Sequence, residues 1–389
     1  MMHLKTGGRI LSLTYQNSFH DHKKEHSRFA QLQIAVIHEW WAKFGGSEKL
    51  ALEIHRSLPS SQLKALYIDK NAEPNFNIEE SWFSKIPLHE SRIFSVAISP
   101  IVYRSFSKGK FDLVISSSHN FAHTVKLKEN KNCIYLSYIH TPSRAIWSPA
   151  IDNRAPINNS LVLGSLKKLD KRLGRHVKSY AANSSEVANR INTFWNKEST
   201  VIHPPVEIYT GLLSHINGEN LPFPSREYLI SAGRFVAYKN HDLAIRIAAK
   251  TKLPIVIMGS GKLHKKLLHL ALELGVQVYF EIAPAIDRWR YLIAHALCFL
   301  FPVHEDFGMT PVESFSLGTP VIALAAGGAL DFMKEGINGR LIPELNVDLF
   351  SEAIANLSAF DVETLRRTAD AYTREVFMHK LYDWISKSI

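Results

Sequence analysis

Residues 298–323 read CFLFPVHEDFGMTPVESFSLGTPVIA. The apolar run Cys298 to Pro302 is too short for a helix and stops at a polar loop, so it reads as a buried strand. A helix follows from Pro311 to Leu317, stopped by Gly318, and Pro320 to Ala323 is a second short apolar run. Strand, helix and strand in this order make a βαβ unit, and strands that are apolar throughout belong to a parallel sheet covered on both faces.

The same alternation extends in both directions. Upstream in this half lie strand Tyr228 to Ala232, helix Asn240 to Ala249 and strand Ile255 to Met258. An earlier series begins with strand Ile34 to His38, a helix from Gly46 to Leu58, strands Leu113 to Ser116 and Cys133 to Tyr138, a helix from Ser165 to Val177, a short strand into Asn183 and a helix from Ser184 to Phe194. Glu207 to Arg226 is richer in Gly, Asn, Ser and Pro and reads as a linker. The fold class is therefore α/β, with a Rossmann-like domain over residues 31–205 and another over 206–372. Residues 1–30, with four histidines and no apolar periodicity, read as a flexible tail. Doubly wound sheets bind ligands at the carboxyl ends of their strands, so two such sheets make the cleft between them the expected active site.

Composition excludes some classes. The 389 residues are 46% hydrophobic and 21% charged, as in a soluble globular protein, and no apolar run approaches the roughly 18 residues of a membrane span. Cys133 and Cys298 stand far apart in apolar runs and read as buried free thiols of a reducing, cytoplasmic setting. The net charge of +10 divides as +3 over residues 1–30, +9 over 31–205 and −2 over 206–389. A basic first half fits either docking on an anionic surface or a merely soluble basic face.

The motifs fall at strand ends. Phe44-Gly45-Gly46-Ser47-Glu48 opens a helix, where backbone N–H groups and the helix dipole can receive a phosphate; a tight turn without a ligand is the alternative. In Gly233-Arg234-Phe-Val-Ala-Tyr-Lys239, Arg234 and Lys239 can converge beyond the strand on a diphosphate, one as a planar bidentate donor and one as a point charge. In His304-Glu305-Asp306-Phe307-Gly308-Met309-Thr310-Pro311-Val312-Glu313, Glu305 lies in a loop and Glu313 on a helix. The two carboxylates then read as holding separate hydroxyls of one long ligand rather than as a close acid and nucleophile pair, with helix capping and surface charge as the alternative. Gly327-Gly328 is a turn whose amides can meet a ligand, and His140, before Thr141-Pro142, is a candidate hydrogen-bond donor or general acid/base. No Asp-x-Asp, no Cys/His cluster with ligand spacing and no Walker sequence occurs, so no metal is expected.

The string EDFGMTPVESFSLGTPVIA with its E-x7-E spacing from Glu305 to Glu313, GRFVAYK at Gly233 to Lys239, DLVISSSH at Asp112 to His119, Ala182-Asn183-Ser184 and VIHPPV at Val201 to Val206 resemble the retaining glycosyltransferase family four, whose fold is GT-B. The resemblance implies that Glu313 binds the donor ribose, Arg234 and Lys239 the diphosphate, and Glu305 with the amides of Phe307, Gly308, Met309 and Thr310 the transferred sugar. Gly46 would approach a phosphate, His140 would contact the donor sugar, and a helix within 373–389 would cross back onto the first domain. HTPSRAIW, FDLVISSS and HEWW are similar to mannosyltransferases of bacterial surface polysaccharide assembly. This implies GDP-mannose as donor, a lipid-linked oligosaccharide or glycan as acceptor, no cofactor beyond the nucleotide-sugar, and a cytoplasmic enzyme in peripheral contact with anionic membrane. A nucleotide-sugar 2-epimerase and a non-catalytic basic binding protein are the alternatives; nucleic acid is not expected as a partner, because aromatics do not interleave the basic run.

Overall fold

A computed structural model describes residues 27–42, 45–106, 109–127, 132–148, 160–209, 220–357 and 360–389. Residues 1–26 of the expected tail, Phe44 of the first glycine motif and residues 210–219 of the expected linker lie outside the described residues. The chain divides into two compact units, one running to Pro204 and taking in Glu375–Ile389, the other spanning Pro205–Arg374.

The first unit contains β1 (Ile34–His38), β2 (Gln62–Ala65), β3 (Glu79–Glu80), β4 (Leu113–Ser118), β5 (Ile134–Ile139), β6 (Ser179–Ala182) and β7 (Thr200–Val201). They form one parallel sheet in the order β3-β2-β1-β4-β5-β6-β7. The period of two expected of a strand buried on both faces is visible in the packing. Ile34, Val36, Leu113, Ile115, Leu136 and Tyr138 enter one core cluster, while Ala35, Ile37, Val114 and Tyr135 enter another. The first cluster also holds Phe377, Leu381, Tyr382, Trp384 and Ile385 of the helix Arg374–Ser386. Trp384 Nε1 donates to Ser179 Oγ at 2.8 Å, and the Phe29 ring meets Tyr382 edge-on at 5.2 Å. Phe29 is thus core, which corrects the expected tail: packing begins before residue 31.

The second unit repeats the plan with β8 (Leu229–Ala232), β9 (Ile255–Gly259), β10 (Val278–Ile282), β11 (Cys298–Phe301), β12 (Val321–Leu324) and β13 (Gly339–Ile342), parallel in the order β10-β9-β8-β11-β12-β13. In both sheets the chain starts at the centre, winds outward on one side and then crosses to the other. Strand order therefore reverses between β1 and β4 and between β8 and β11, and the crevice at the carboxyl ends of those pairs is where such sheets take ligands.

Two details differ from expectation. The basic helix starts at Ser160 and ends at Leu173, earlier than expected, with the chain turning through Gly174–His176. Cys133 precedes its strand and is only half-buried, whereas Cys298 is fully buried. Burial pushes the Cys133 thiol up to about 11 and that of Cys298 up to about 12, so both stay protonated at neutral pH. Among the described residues no helix is long and apolar enough to cross a membrane.

Candidate active site

In the second unit the motif side chains gather at the switch point between β8 and β11. Gly233 follows β8 with φ +139°, and a Cβ there would lie 3.2 Å from Lys239 Nζ, so a glycine leaves room for the lysine to fold over the strand end. Asn240, left-handed at φ 50°, starts the helix His241–Thr251 and donates from Nδ2 to Pro302 O at 2.6 Å, which ties the loop after β8 to the loop after β11. Lys239 consequently meets Glu305 as an ion pair. Arg234 is exposed and donates from Nη2 to Tyr238 Oη at 2.8 Å, while Lys239 Nζ lies 5.8 Å from the centre of the same tyrosine ring. Both cations thus flank one exposed aromatic at one strand end.

The third motif splits. Glu305 is engaged with Lys239, whereas Glu313 lies on the helix Met309–Ser316 and lines a small pocket with Tyr209, Ile286, Trp289, Arg290 and Ser316. Arg290 pairs with Glu207 at 2.8 Å and lies 5.2 Å over the Tyr209 ring, giving the pocket an aromatic and a cationic wall. Gly308 caps the helix Met309–Ser316 at φ +98° without a side-chain hydrogen bond, and its Cβ would lie 2.8 Å from the Phe301 ring. Phe307 is a core residue, packed edge-on against Phe332 at 5.7 Å, so only its backbone can serve a ligand. Met309 and Thr310 are half-buried at the helix start. The Gly327-Gly328 turn departs from its expected role: Gly328 N–H donates to Glu305 O at 2.9 Å, and a Cβ on Gly328 would fall 2.3 Å from Phe307 Cα. The turn braces the Glu305 loop, and its second amide is already engaged.

Beneath the lysine, His241 is buried and its Nδ1 is 3.0 Å from Ser231 Oγ. Burial first, and the nearby Lys239 second, bring its imidazole down to about 4. Between that value and the ordinary 6.5 the unfolded chain binds a proton that the folded chain does not. Stability is therefore full above pH 6.5 and falls as pH drops towards 4, by about 1.4 kcal/mol per pH unit for this one group. Urea unfolding of the wild type at pH 7 and pH 4.5 is expected to lose about 2 to 3 kcal/mol more than His241→Asn loses over the same interval; equal losses in both proteins would exclude His241 as the source.

In the first unit the β1/β4 switch point is lined by imidazoles. His140 directly follows β5 and keeps 9% of its surface exposed. His38 ends β1 and is fully buried, and His119 follows β4, with ring centres 5.6 to 6.3 Å apart among the three. Burial, followed by the facing His38 and His119, holds His140 well below the usual imidazole range, so it is neutral at pH 7. Gly46 is the first residue of the helix Gly46–Ser57. That helix start already holds a carboxylate of its own: Glu48 is buried, accepts from Ser47 Oγ at 2.8 Å, and would lie 2.5 Å from a Cβ on Gly45. An arriving phosphate must share this N-terminus with Glu48.

Sequence reasoning assigned no role to Glu39. Its carboxylate is fully buried just after β1, and Oε1 accepts from Ser118 Oγ at 3.1 Å and from the amides of His119, Asn120 and Ala122 at 3.3, 2.8 and 2.9 Å, while Oε2 accepts from Tyr103 Oη at 2.9 Å. It pins the loop that carries His119. Among the described residues no group of three metal-ligating side chains is placed to hold an ion.

Comparison with known proteins places this architecture. Residues 216–375 match the family described as Glycosyl transferases group 1. The chain is 27% identical over 220 residues to the lipopolysaccharide core biosynthesis glycosyltransferase LpsE of Rhizobium meliloti (strain 1021), covering 55% of this chain and 64% of that protein. It is 26% identical over 181 residues to the D-inositol 3-phosphate glycosyltransferase of Mycolicibacterium gilvum (strain PYR-GCK), 43% of this chain and 41% of that protein. The chain thus spans less than two thirds of the length of these curated relatives. Solved structures similar over 92% of this chain and 100% of their own include the apo lipopolysaccharide outer core galactosyltransferase WaaB, with TM-score 0.65 and 19% identity, and Anabaena HepE in complex with UDP and glucose, with TM-score 0.69 and 16% identity. At these identities the likeness gives the fold, which is GT-B with two Rossmann-like parallel sheets.

Proposed function

With residues 216–375 matching the group 1 glycosyl transferases, we propose that this protein is a retaining, metal-independent glycosyltransferase that moves a hexose from a nucleotide-sugar to a lipid-linked or polysaccharide acceptor of the cell surface. The observation that carries the reading is the gathering of Arg234, Lys239 and Glu305 at one strand end, with Glu313 lining a pocket of the same unit. Arg234 and Lys239 take the leaving diphosphate, and its charge, growing in an oxocarbenium-like transition state, is stabilised by these fixed cations and by the start of the helix Met309–Ser316. Lys239 is released from Glu305 when the diphosphate arrives, which frees that carboxylate for hydroxyls of the transferred sugar. Glu313 takes the ribose, and His140 contacts the sugar. The leaving phosphate itself accepts the proton of the acceptor hydroxyl.

GDP-mannose is the donor of first choice, carried by the motifs similar to mannosyltransferases. A uridine donor is the second reading, favoured by the complexes of Anabaena HepE with UDP and with UDP-glucose. For the acceptor, the helix Ser160–Leu173 presents exposed Leu161, Val162 and Leu169 beside its lysines, a surface suited to peripheral contact with anionic lipid at the inner face of the cytoplasmic membrane. Thermal unfolding with GDP, UDP, ADP and dTDP in turn is the test. One nucleotide at about 100 times its dissociation constant is expected to add about 2.7 kcal/mol of stability. GDP or UDP alone selects between the two donors, and no shift with any nucleotide overturns the transferase reading.

A further inference from the structure

Three adjacent strand ends of the first unit put His38, Ser117 and His140 in one hydrogen-bonded row. His38 stands opposite Ser117 in the β1/β4 register, and His140 leaves β5 on the other side of β4. His38 Nδ1 lies 3.1 Å from Ser117 O and 3.1 Å from Ser117 Oγ, and Ser117 Oγ lies 2.7 Å from His140 Nε2.

The carbonyl decides where the protons are. Ser117 O can only accept, so the His38 nitrogen facing it carries hydrogen. That N–H also faces Ser117 Oγ, which accepts on this side; among the described residues the other partner of this buried hydroxyl is His140 Nε2, so its single hydrogen goes there rather than being left without an acceptor. A neutral imidazole that accepts at Nε2 carries its hydrogen on Nδ1. The opposite arrangement would set a bare His38 Nδ1 against the carbonyl oxygen, lone pair to lone pair, at 3.1 Å. We infer that Ser117 and His38 are positioning residues that hold His140 as its Nδ1–H tautomer, so that this N–H is the donor His140 offers to an oxygen of the sugar. The tautomer follows from this row alone; only the identity of the oxygen rests on the proposed transferase reading.

Two readouts separate the inference from that reading. In the 15N-histidine-labelled full chain, a long-range 1H–15N spectrum distinguishes a protonated Nδ1 from a protonated Nε2, with the His140 signals assigned by their loss in His140→Gln. The wild type is expected to show His140 protonated at Nδ1, whether or not any nucleotide-sugar is turned over; protonation at Nε2 overturns the inference. Ser117→Ala leaves His140 Nε2 without its donor and is expected to mix the tautomers and to lower kcat roughly tenfold, the scale of one lost hydrogen bond, with KM for the nucleotide-sugar within about twofold. His38→Asn keeps an N–H in the place of Nδ1 and is expected to hold the wild-type tautomer and kcat within about threefold, while His38→Leu behaves like Ser117→Ala. A Ser117→Ala protein that folds with tautomer and kcat unchanged also overturns it. If the wild type transfers no sugar, the proposed function fails and the wild-type spectrum still decides the tautomer.

Discussion

Arg234→Ala is expected to lower turnover roughly ten- to a hundredfold or more and to leave the unfolding midpoint where it was. The side chain is exposed and donates to the equally exposed Tyr238, so the fold has little to lose by its removal. A charge-assisted hydrogen bond to a phosphate oxygen, by contrast, contributes about 1.5 to 3 kcal/mol, and that difference in the transition state is one to two orders of magnitude in rate. Steady-state rates with saturating nucleotide-sugar, measured beside a thermal melt, check both halves. An unchanged rate would remove Arg234 from the proposed diphosphate site. Arg234→Lys is expected to recover only part of the loss, since an ammonium replaces a planar fork with a point charge.

The second large effect is on stability. Glu39→Ala is expected to destabilise the first unit by about 3 to 5 kcal/mol, because three backbone amides, the Ser118 hydroxyl and the Tyr103 phenol lose their acceptor inside the protein. Burial and the carboxylate together raise the Tyr103 phenol well above its ordinary range, so it remains a donor facing the gap. Denaturant unfolding of the variant against the wild type measures the loss, and a change below about 1 kcal/mol would mean that water has taken over the carboxylate's bonds. Glu39→Gln keeps an acceptor oxygen and is expected to lose less.

These two residues mark what could be read from sequence and what could not. Arg234 stands in a string whose neighbours all bear on one strand end, so its place was legible from spacing alone. Glu39 follows a strand like any turn residue, and its donors come from 64 to 83 positions further along the chain. The row His38, Ser117 and His140 is likewise assembled by strand order, across separations of 79 and 23 residues. The central strands could be read because they are buried on both faces and hence apolar throughout. The strand β2, Gln-Leu-Lys-Ala, escaped because it carries a lysine; Lys64 is fully buried there and is paired with Glu79 on β3. The helix Arg92–Val102 escaped because Pro100 interrupts its helical pattern, although a proline near the end of a helix costs less than one at its centre.

The assignment of Glu375–Ile389 to the first unit has a consequence in time. As the chain emerges from the ribosome, β1 to β7 are complete long before Phe377, Leu381 and Trp384 exist to cover their core. All of Pro205–Arg374 must be made in the interval, which at roughly 5 to 20 residues per second takes on the order of ten to thirty seconds. For that period an apolar face of the first unit is open to water and to chaperones, while the second unit has its whole sequence in one stretch. The unit made first is therefore the one that finishes last.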